Sequence, residues 1–252
     1  MKIHAYEKDD DVSGADLIVV CAGQARMPGA SISRRDLVVE NAKIIREVAT
    51  VVPSKNHSAK FIIVSNPVDA MATLFKKVSR VDFVIGTGDQ PDTMRFRTKL
   101  STELGVPVSE IEGFVGGEHG SAAYALWSTV RITNAPLEDY LKVTGKTLDR
   151  SAVVDYVRKI SMEIVEAIGA TEYGPAAAFR DIIRSIVQDR GEIYSIAVAS
   201  KLPGLPEAVN VSIPTSLGQR IGPNIWKDLT VEEQKNIIEA AKIIYKNYLT
   251  GY

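Results

Sequence analysis

The chain has 252 residues, 45% of them hydrophobic and 24% charged, with a formal net charge of −1. That composition belongs to an ordinary globular protein, long enough to bury one large core or two modest ones. With charge so nearly balanced and no basic run interleaved with aromatics, neither nucleic acid nor an anionic membrane is an expected partner, and a small-molecule substrate is.

The opening MKIHAYEKDDD turns acidic at once and has no apolar signal core. No stretch approaches the roughly 20 apolar residues of a membrane span, so a cytoplasmic location and no membrane association are expected. A single cysteine, Cys21, leaves no intrachain disulfide to form. Its apolar neighbours, Leu17 to Ala22, read it as a small core residue.

Short apolar runs at 15–22, 59–65 and 81–85 have the Val/Ile/Phe content of strands buried on both faces. Between them, 34–51 and 68–78 carry apolar residues at helical spacing, including Leu37, Ile44 and Val48 in the first and Met71, Leu74 and Phe75 in the second. Strand–helix–strand–helix–strand is the pattern of a doubly wound parallel sheet. A further helix is expected from Asp92 to Leu104, stopped by Gly105 and Pro107. The pattern then changes. Strands at 111–115 and 124–132 precede an amphipathic helix at 148–168, the string TEYGP and a helix to Val187. Two more β-rich runs, 193–199 and 208–213, lead to a final helix at 231–248 opened by the capping box Thr230-Val-Glu-Glu233. The fold class is α/β: a truncated doubly wound sheet over residues 1–89, followed by an α+β domain over 90–252.

Four strings carry chemistry. In Gly113-Phe-Val-Gly-Gly-Glu-His-Gly120 a histidine stands between glycines after a strand. Glycine permits a sharp turn there and leaves the imidazole uncrowded, unlike a histidine packed among bulky apolar side chains. His119 is therefore read as catalytic, with a turn histidine as the alternative; His4 and His57 have surface settings. In Asp92-Thr-Met-Arg95 the acid and base share a helix face. Either they form a surface ion pair, or Asp92 supports an imidazole while Arg95 grips a carboxylate. A Gly/Pro/Ser-rich loop from Ala22 carries Arg26 and Arg34 beyond a strand's carboxyl end, where open α/β sheets bind ligands. Ser65-Asn66-Pro67 stands at the end of the next strand.

Taken in this order and approximate spacing, the arginine loop, SNPVDAM, DTMRFR, GGEHG and TEYGP resemble the lactate/malate dehydrogenase family, nearest to its archaeal malate dehydrogenases. The likeness runs from about Lys2 to the C-terminus. It implies hydride exchange between (S)-malate or oxaloacetate and NAD (or NADP), with a small dicarboxylate as substrate; a homo-oligomer is expected separately, from an exposed strand edge. By the same resemblance His119 is the general acid/base and Asp92 its support. Arg95 holds the C1 carboxylate, Arg26 the distal one, and Arg34 polarises the reacting carbonyl. Asn66 touches substrate and nicotinamide, and Thr171 lines the substrate pocket. Ala22, Gly23, Asn41, Val64, Ser65 and Asn66 match cofactor contacts, and no metal is implied. Arginine at 26, where lactate enzymes usually carry glutamine, disfavours a lactate-type enzyme.

The sequence departs from the family in one large respect. No G-x-G-x-x-G occurs, although the family holds the cofactor pyrophosphate on such a turn. The chain begins near the family's third strand, at 2–6. Without two strands between it and Leu17 to Val20, the latter is expected at an exposed apolar edge. The molecule should then be oligomeric, locally rearranged, or part of a longer chain, and a non-catalytic scaffold derived from a dehydrogenase is the alternative to an enzyme. Smaller departures are the longer spacing from Arg26 to Arg34, which leaves open whether Arg34 or Arg35 faces the substrate, Met27 in place of a common lysine, and Tyr173 where tryptophan is frequent.

Overall fold

The computed structural model describes residues 5–24 and 34–251. Among them, nine strands form one sheet in the order β1-β2-β3-β7-β8-β4-β5-β6, with β9 pairing β8. The first three are β1 (Leu17–Val20), β2 (Lys60–Ile63) and β3 (Val84–Gly86), joined by α1 (Arg34–Lys55) and α2 (Val68–Ser79). They run parallel, Leu17 facing Lys60 and Phe61 facing Val84. The alternating faces of a strand explain the two helical layers. Phe61, Ile63 and Val84 pack with Ile45 and Val48 of α1 and Leu74 and Phe75 of α2, whereas Ile62 and Ile85 pack with Ile182 and Ile186 on the opposite face.

The sheet continues without a break where the chain changes character. After α3 (Gln90–Leu104), the strands β4 (Ile111–Gly117), β5 (Ala123–Ile132), β6 (Ala135–Pro136), β7 (Glu192–Ser200), β8 (Val209–Leu217) and β9 (Ile221–Asn224) pair antiparallel. β7 joins β3 through Gly86 and Ala197, closing the parallel half onto the antiparallel one. The remaining helices are α4 (Leu137–Thr144), α5 (Arg150–Ile168), α6 (Tyr173–Gln188) and α7 (Val231–Gly251). The capping box at 230–233 forms in both directions. Thr230 Oγ1 accepts from the Glu233 amide at 3.2 Å, and Glu233 Oε2 accepts from the Thr230 amide at 2.9 Å. Glu233 also accepts from the Ser128 amide at 3.0 Å, fastening α7 to β5.

Several expectations change on contact with the fold. β1 stands at the edge of the described sheet, with Val19 39% exposed. The strand ends at Val20, so Cys21 lies past it and is exposed rather than packed in the core. α3 begins two residues early, at Gln90, because Pro91 in its first turn needs no amide partner and supplies the right φ. α1 runs on through Pro53 to Lys55. The short α4 buries only Leu137, too little to mark a periodic pattern. The strand expected at 2–6 falls outside the described residues except for Ala5 and Tyr6, which are irregular. No helix among the described residues is long and apolar enough to cross a membrane.

Candidate active site

The site forms where three chain segments meet at one end of β2, β3 and β4. β4 finishes at Gly117, whose φ of +112° suits glycine, and a Cβ there would collide with the Ala122 carbonyl. The chain turns at that point and delivers Glu118 and His119. The His119 amide donates to Asp69 Oδ2 at 2.7 Å, which ties the turn to the first turn of α2. A second glycine, Gly88, has φ +52° and approaches β7 so closely that a Cβ would lie 2.7 Å from the Ala197 amide nitrogen. This approach brings Asp89 and the first turn of α3 under the imidazole.

His119 Nδ1 lies 2.6 Å from Asp92 Oδ2, and Arg95 Nη1 lies 2.6 Å from Asp92 Oδ1. The carboxylate is thus held between two cations on a face that is no exposed surface, Arg95 and Asp92 side chains being 15% and 8% accessible. Of the two sequence readings of this pair, geometry favours support of an imidazole. With Nδ1 engaged, Nε2 is the nitrogen left for a ligand. Burial pulls the imidazole pKa down, but the negative charges of Asp92 and Asp89 and the hydrogen bond to Asp92 outweigh it and hold His119 well above its ordinary 6.5. Burial works against ionised Asp92, yet His119 and Arg95 keep its carboxyl below the usual 3.8.

A cavity of about 670 Å³ opens beside this cluster. Val64, Asn66 and Thr87 line it from the strand ends, and Asp92, Arg95 and His119 line the chemical wall. Thr171 contributes to it as well, so the described residues bring together His119, Asp92, Arg95, Asn66, Val64 and Thr171. α5 presents Val154, Arg158, Ser161 and Met162 to the same space at helical spacing. Arg158 makes no hydrogen bond or ion pair among the described residues, and its place in a long amphipathic helix gives no sequence signal beyond that of a solvated charge.

Other expected contacts lie behind this wall. The Ser65 hydroxyl donates to Ala22 O at 2.5 Å, tying β2 to the turn after β1. Buried Asn41 accepts from the Gln24 amide at 2.6 Å and donates to Asn66 O at 2.7 Å, so it braces two cavity-edge segments at once. Ala22 and Gly23 are exposed beyond β1. Arg26 falls outside the described residues, as does the side chain of Arg34, whose backbone begins α1.

Asp89, Asp92 and His119 offer three ligand-type atoms within 4.8 Å of one another. Two ligands on one tetrahedral zinc stand about 3.3 Å apart, given bonds of about 2.0–2.1 Å. The 2.6 Å between His119 and Asp92 is instead a charge-assisted hydrogen bond. The cluster holds protons. For a dinucleotide, the apolar Val64 and Val68 beside polar Asn66 and Thr87 fit a nicotinamide ring facing His119. The described residues include no glycine-rich turn for its pyrophosphate.

Residues 1–83 match the model of the lactate/malate dehydrogenase NAD-binding domain, and residues 90–251 that of the family's alpha/beta C-terminal domain. A malate dehydrogenase of Sulfurisphaera tokodaii is 43% identical over 239 residues, covering 95% of this chain and 74% of that protein. An L-lactate dehydrogenase of Thermoanaerobacter pseudethanolicus is 34% identical over 251 residues, covering 96% and 79%. Among solved structures, a lactate dehydrogenase from a Medee basin deep-sea metagenome library superimposes with a TM-score of 0.87 at 26% identity, covering 96% of this chain and 79% of that one. L-lactate dehydrogenase from Clostridium thermocellum gives 0.82 at 28% identity, with coverage of 96% and 79%.

Proposed function

The chain belongs to the lactate/malate dehydrogenase family, and we propose that it interconverts (S)-malate and oxaloacetate with NAD(H), the cofactor of that family. The observation that carries this reading is the His119–Asp92–Arg95 cluster, its central carboxylate buried, opening onto the cavity. When bound, the cofactor would supply the hydride chemistry at the substrate's C2, NAD+ as acceptor and NADH as donor. His119 does the proton work. As neutral imidazole it takes the hydroxyl proton of malate on Nε2, and as imidazolium it returns a proton to the oxygen of reduced oxaloacetate. Asp92 holds Nδ1–H and so fixes which nitrogen faces the substrate. Arg95 carries one cation to the same wall, suited to the C1 carboxylate.

Val64 and Asn66 would face the nicotinamide, while Ala22 and Gly23 form a turn that Asn41 and Ser65 brace. Thr171 would line the substrate pocket. On this reading residues 1–89 serve the cofactor and 90–252 the substrate. By resemblance, Arg34 would polarise the carbonyl.

Specificity for a dicarboxylate is assigned to Arg26, by resemblance, together with the unpaired Arg158 on the cavity wall. NADH oxidation should be faster with oxaloacetate than with pyruvate by about 10²-fold in kcat/KM, the worth of one charge-assisted hydrogen-bonded pair. Arg26→Gln and Arg158→Gln should each shrink that ratio, acting on oxaloacetate and sparing pyruvate. Equal losses for both acids would remove these residues from selectivity. Turnover of neither acid by the wild type would sink the dehydrogenase reading.

A homo-oligomer is proposed from the apolar groove lined by Val19, Phe179, Ile183 and Val187 among the described residues. Light scattering on the purified chain should return a multiple of its mass. A single-chain mass at micromolar concentration would overturn this.

A further inference from the structure

Asp89 occupies the N-cap of α3, a position where aspartate ordinarily accepts a hydrogen bond from the helix's own first amides. Its side chain does not cap the helix. The Asp89 carbonyl accepts the first intrahelical bond, from the Thr93 amide at 2.8 Å, and the Asp89 amide donates to Ser212 Oγ at 3.0 Å. The carboxyl is wholly buried, and neither oxygen has a hydrogen-bond partner among the described residues. An ionised carboxylate in such a place is costly unless a cation stands close. The cation is His119, whose Nδ1 lies 3.7 Å from Asp89 Oδ1.

We propose that Asp89 is a second carboxylate partner of the His119 imidazole, a positioning residue that acts with Asp92 from the Nδ1 side and sets the pH range over which His119 can supply a proton to substrate. The assignment deepens the dehydrogenase reading and rests on it only for its catalytic consequence. The other charged groups facing His119 are Arg95 and Asp92 on α3, Asp69 on α2, whose carboxylate receives the His119 amide, and neighbouring Glu118. Asp92 already balances Arg95, so an ionised Asp89 balances the imidazolium. Burial pushes the Asp89 carboxyl up to about 6, which leaves it ionised above that pH beside a histidine that is itself still protonated. The charged pair therefore persists through neutrality and favours the proton-donating form of His119, the form that reduction of a 2-keto acid requires.

The test is an NMR titration of the His119 imidazole in wild type and in Asp89→Asn. Removal of an opposite charge at this range should lower the His119 pKa by about 1 unit or more. In turnover, the alkaline limit of keto-acid reduction should move down by the same amount, with much less change in the plateau kcat. A folded Asp89→Asn protein with an unchanged His119 pKa overturns the proposal. Should the variant fail to fold, the wild type with 13C-labelled aspartate carboxyls decides. The Asp89 signal should inflect once at its own titration and again when His119 loses its proton, and absence of the second inflection overturns the proposal. Neither titration needs turnover. A shifted pKa in a chain that reduces no keto acid would therefore fault the dehydrogenase reading and leave the Asp89–His119 coupling intact.

Discussion

His119→Asn should reduce turnover of oxaloacetate and malate by about 10²–10⁴-fold, the usual contribution of a positioned general acid/base. Asparagine keeps a donor for the Asp92 carboxylate and has no group that titrates near neutrality. The loss should fall on kcat and kcat/KM together, since proton transfer belongs to the transition state and not to ground-state binding. Stability should change in a pH-dependent way. A histidine whose folded pKa is raised contributes stability that is full below its unfolded value of 6.5 and is lost as pH rises through the folded value. The partner Asp92 ionises below 3.8 in the folded state, so the full difference between wild type and variant should span from about pH 4 to 6.5 and close at higher pH. Denaturant melts at pH 5.5 and at a pH above the imidazole titration read this directly. A variant that keeps wild-type turnover removes His119 from the mechanism, and a stability gap that widens with pH contradicts the raised pKa.

Much of this site is legible because its residues stand in strings that ordinary packing does not require. Gly117 and Gly120 flank a histidine with no apolar neighbours, and Asp92 and Arg95 fall on one helix face. The parallel strands are equally plain. β2 is buried along nearly its whole length, so its sequence is a continuous apolar run. Asp89 is hidden for the opposite reason. An aspartate at the head of a helix reads as a cap, and only coordinates reveal a side chain turned away from the helix amides. A signal was available, since Asp89 and Asp92 are spaced to put two carboxylates on one side of the first turn. Asp69 is masked in the same manner inside an apolar helix, where a fully buried acid is not anticipated. Arg158 lies on an amphipathic helix whose polar face is expected to meet water. Cys21 misleads because an apolar run fixes strand character and not whether the strand is central. β1 is an edge of the described sheet, and the run's last residues pass beyond its paired part.

Phe96→Ala should cost about 3–5 kcal/mol, the range for deleting a buried aromatic ring, against a total of about 5–15 kcal/mol for a typical fold. Phe96 is fully buried on α3, one turn beyond Asp92 and next to Arg95. Its ring meets Trp127 of β5 edge-on, with centroids 5.1 Å apart. It also fills the space above Gly113, where a Cβ on that glycine would lie 3.1 Å from Phe96 Cε1. The ring therefore bolts the helix that carries the Asp92–Arg95 pair onto the strands that carry His119. Truncation leaves a cavity at this junction, and neighbours pinned by the β4–β5 ladder can collapse into it only in part. The urea midpoint should fall steeply with little change in slope, because the surface exposed on unfolding stays nearly the same. Folded protein at low temperature should also lose kcat, since a small displacement of α3 lengthens the 2.6 Å contact between Asp92 and His119. Phe114→Ala, at a half-buried position on β4, is the control and should cost much less. Matching midpoints for the two variants would mean that α3 is held by its other contacts, Leu100 and Leu104 foremost. A Phe96→Ala protein that lost stability with kcat intact would mean the Asp92–His119 geometry survives movement of the helix beneath it.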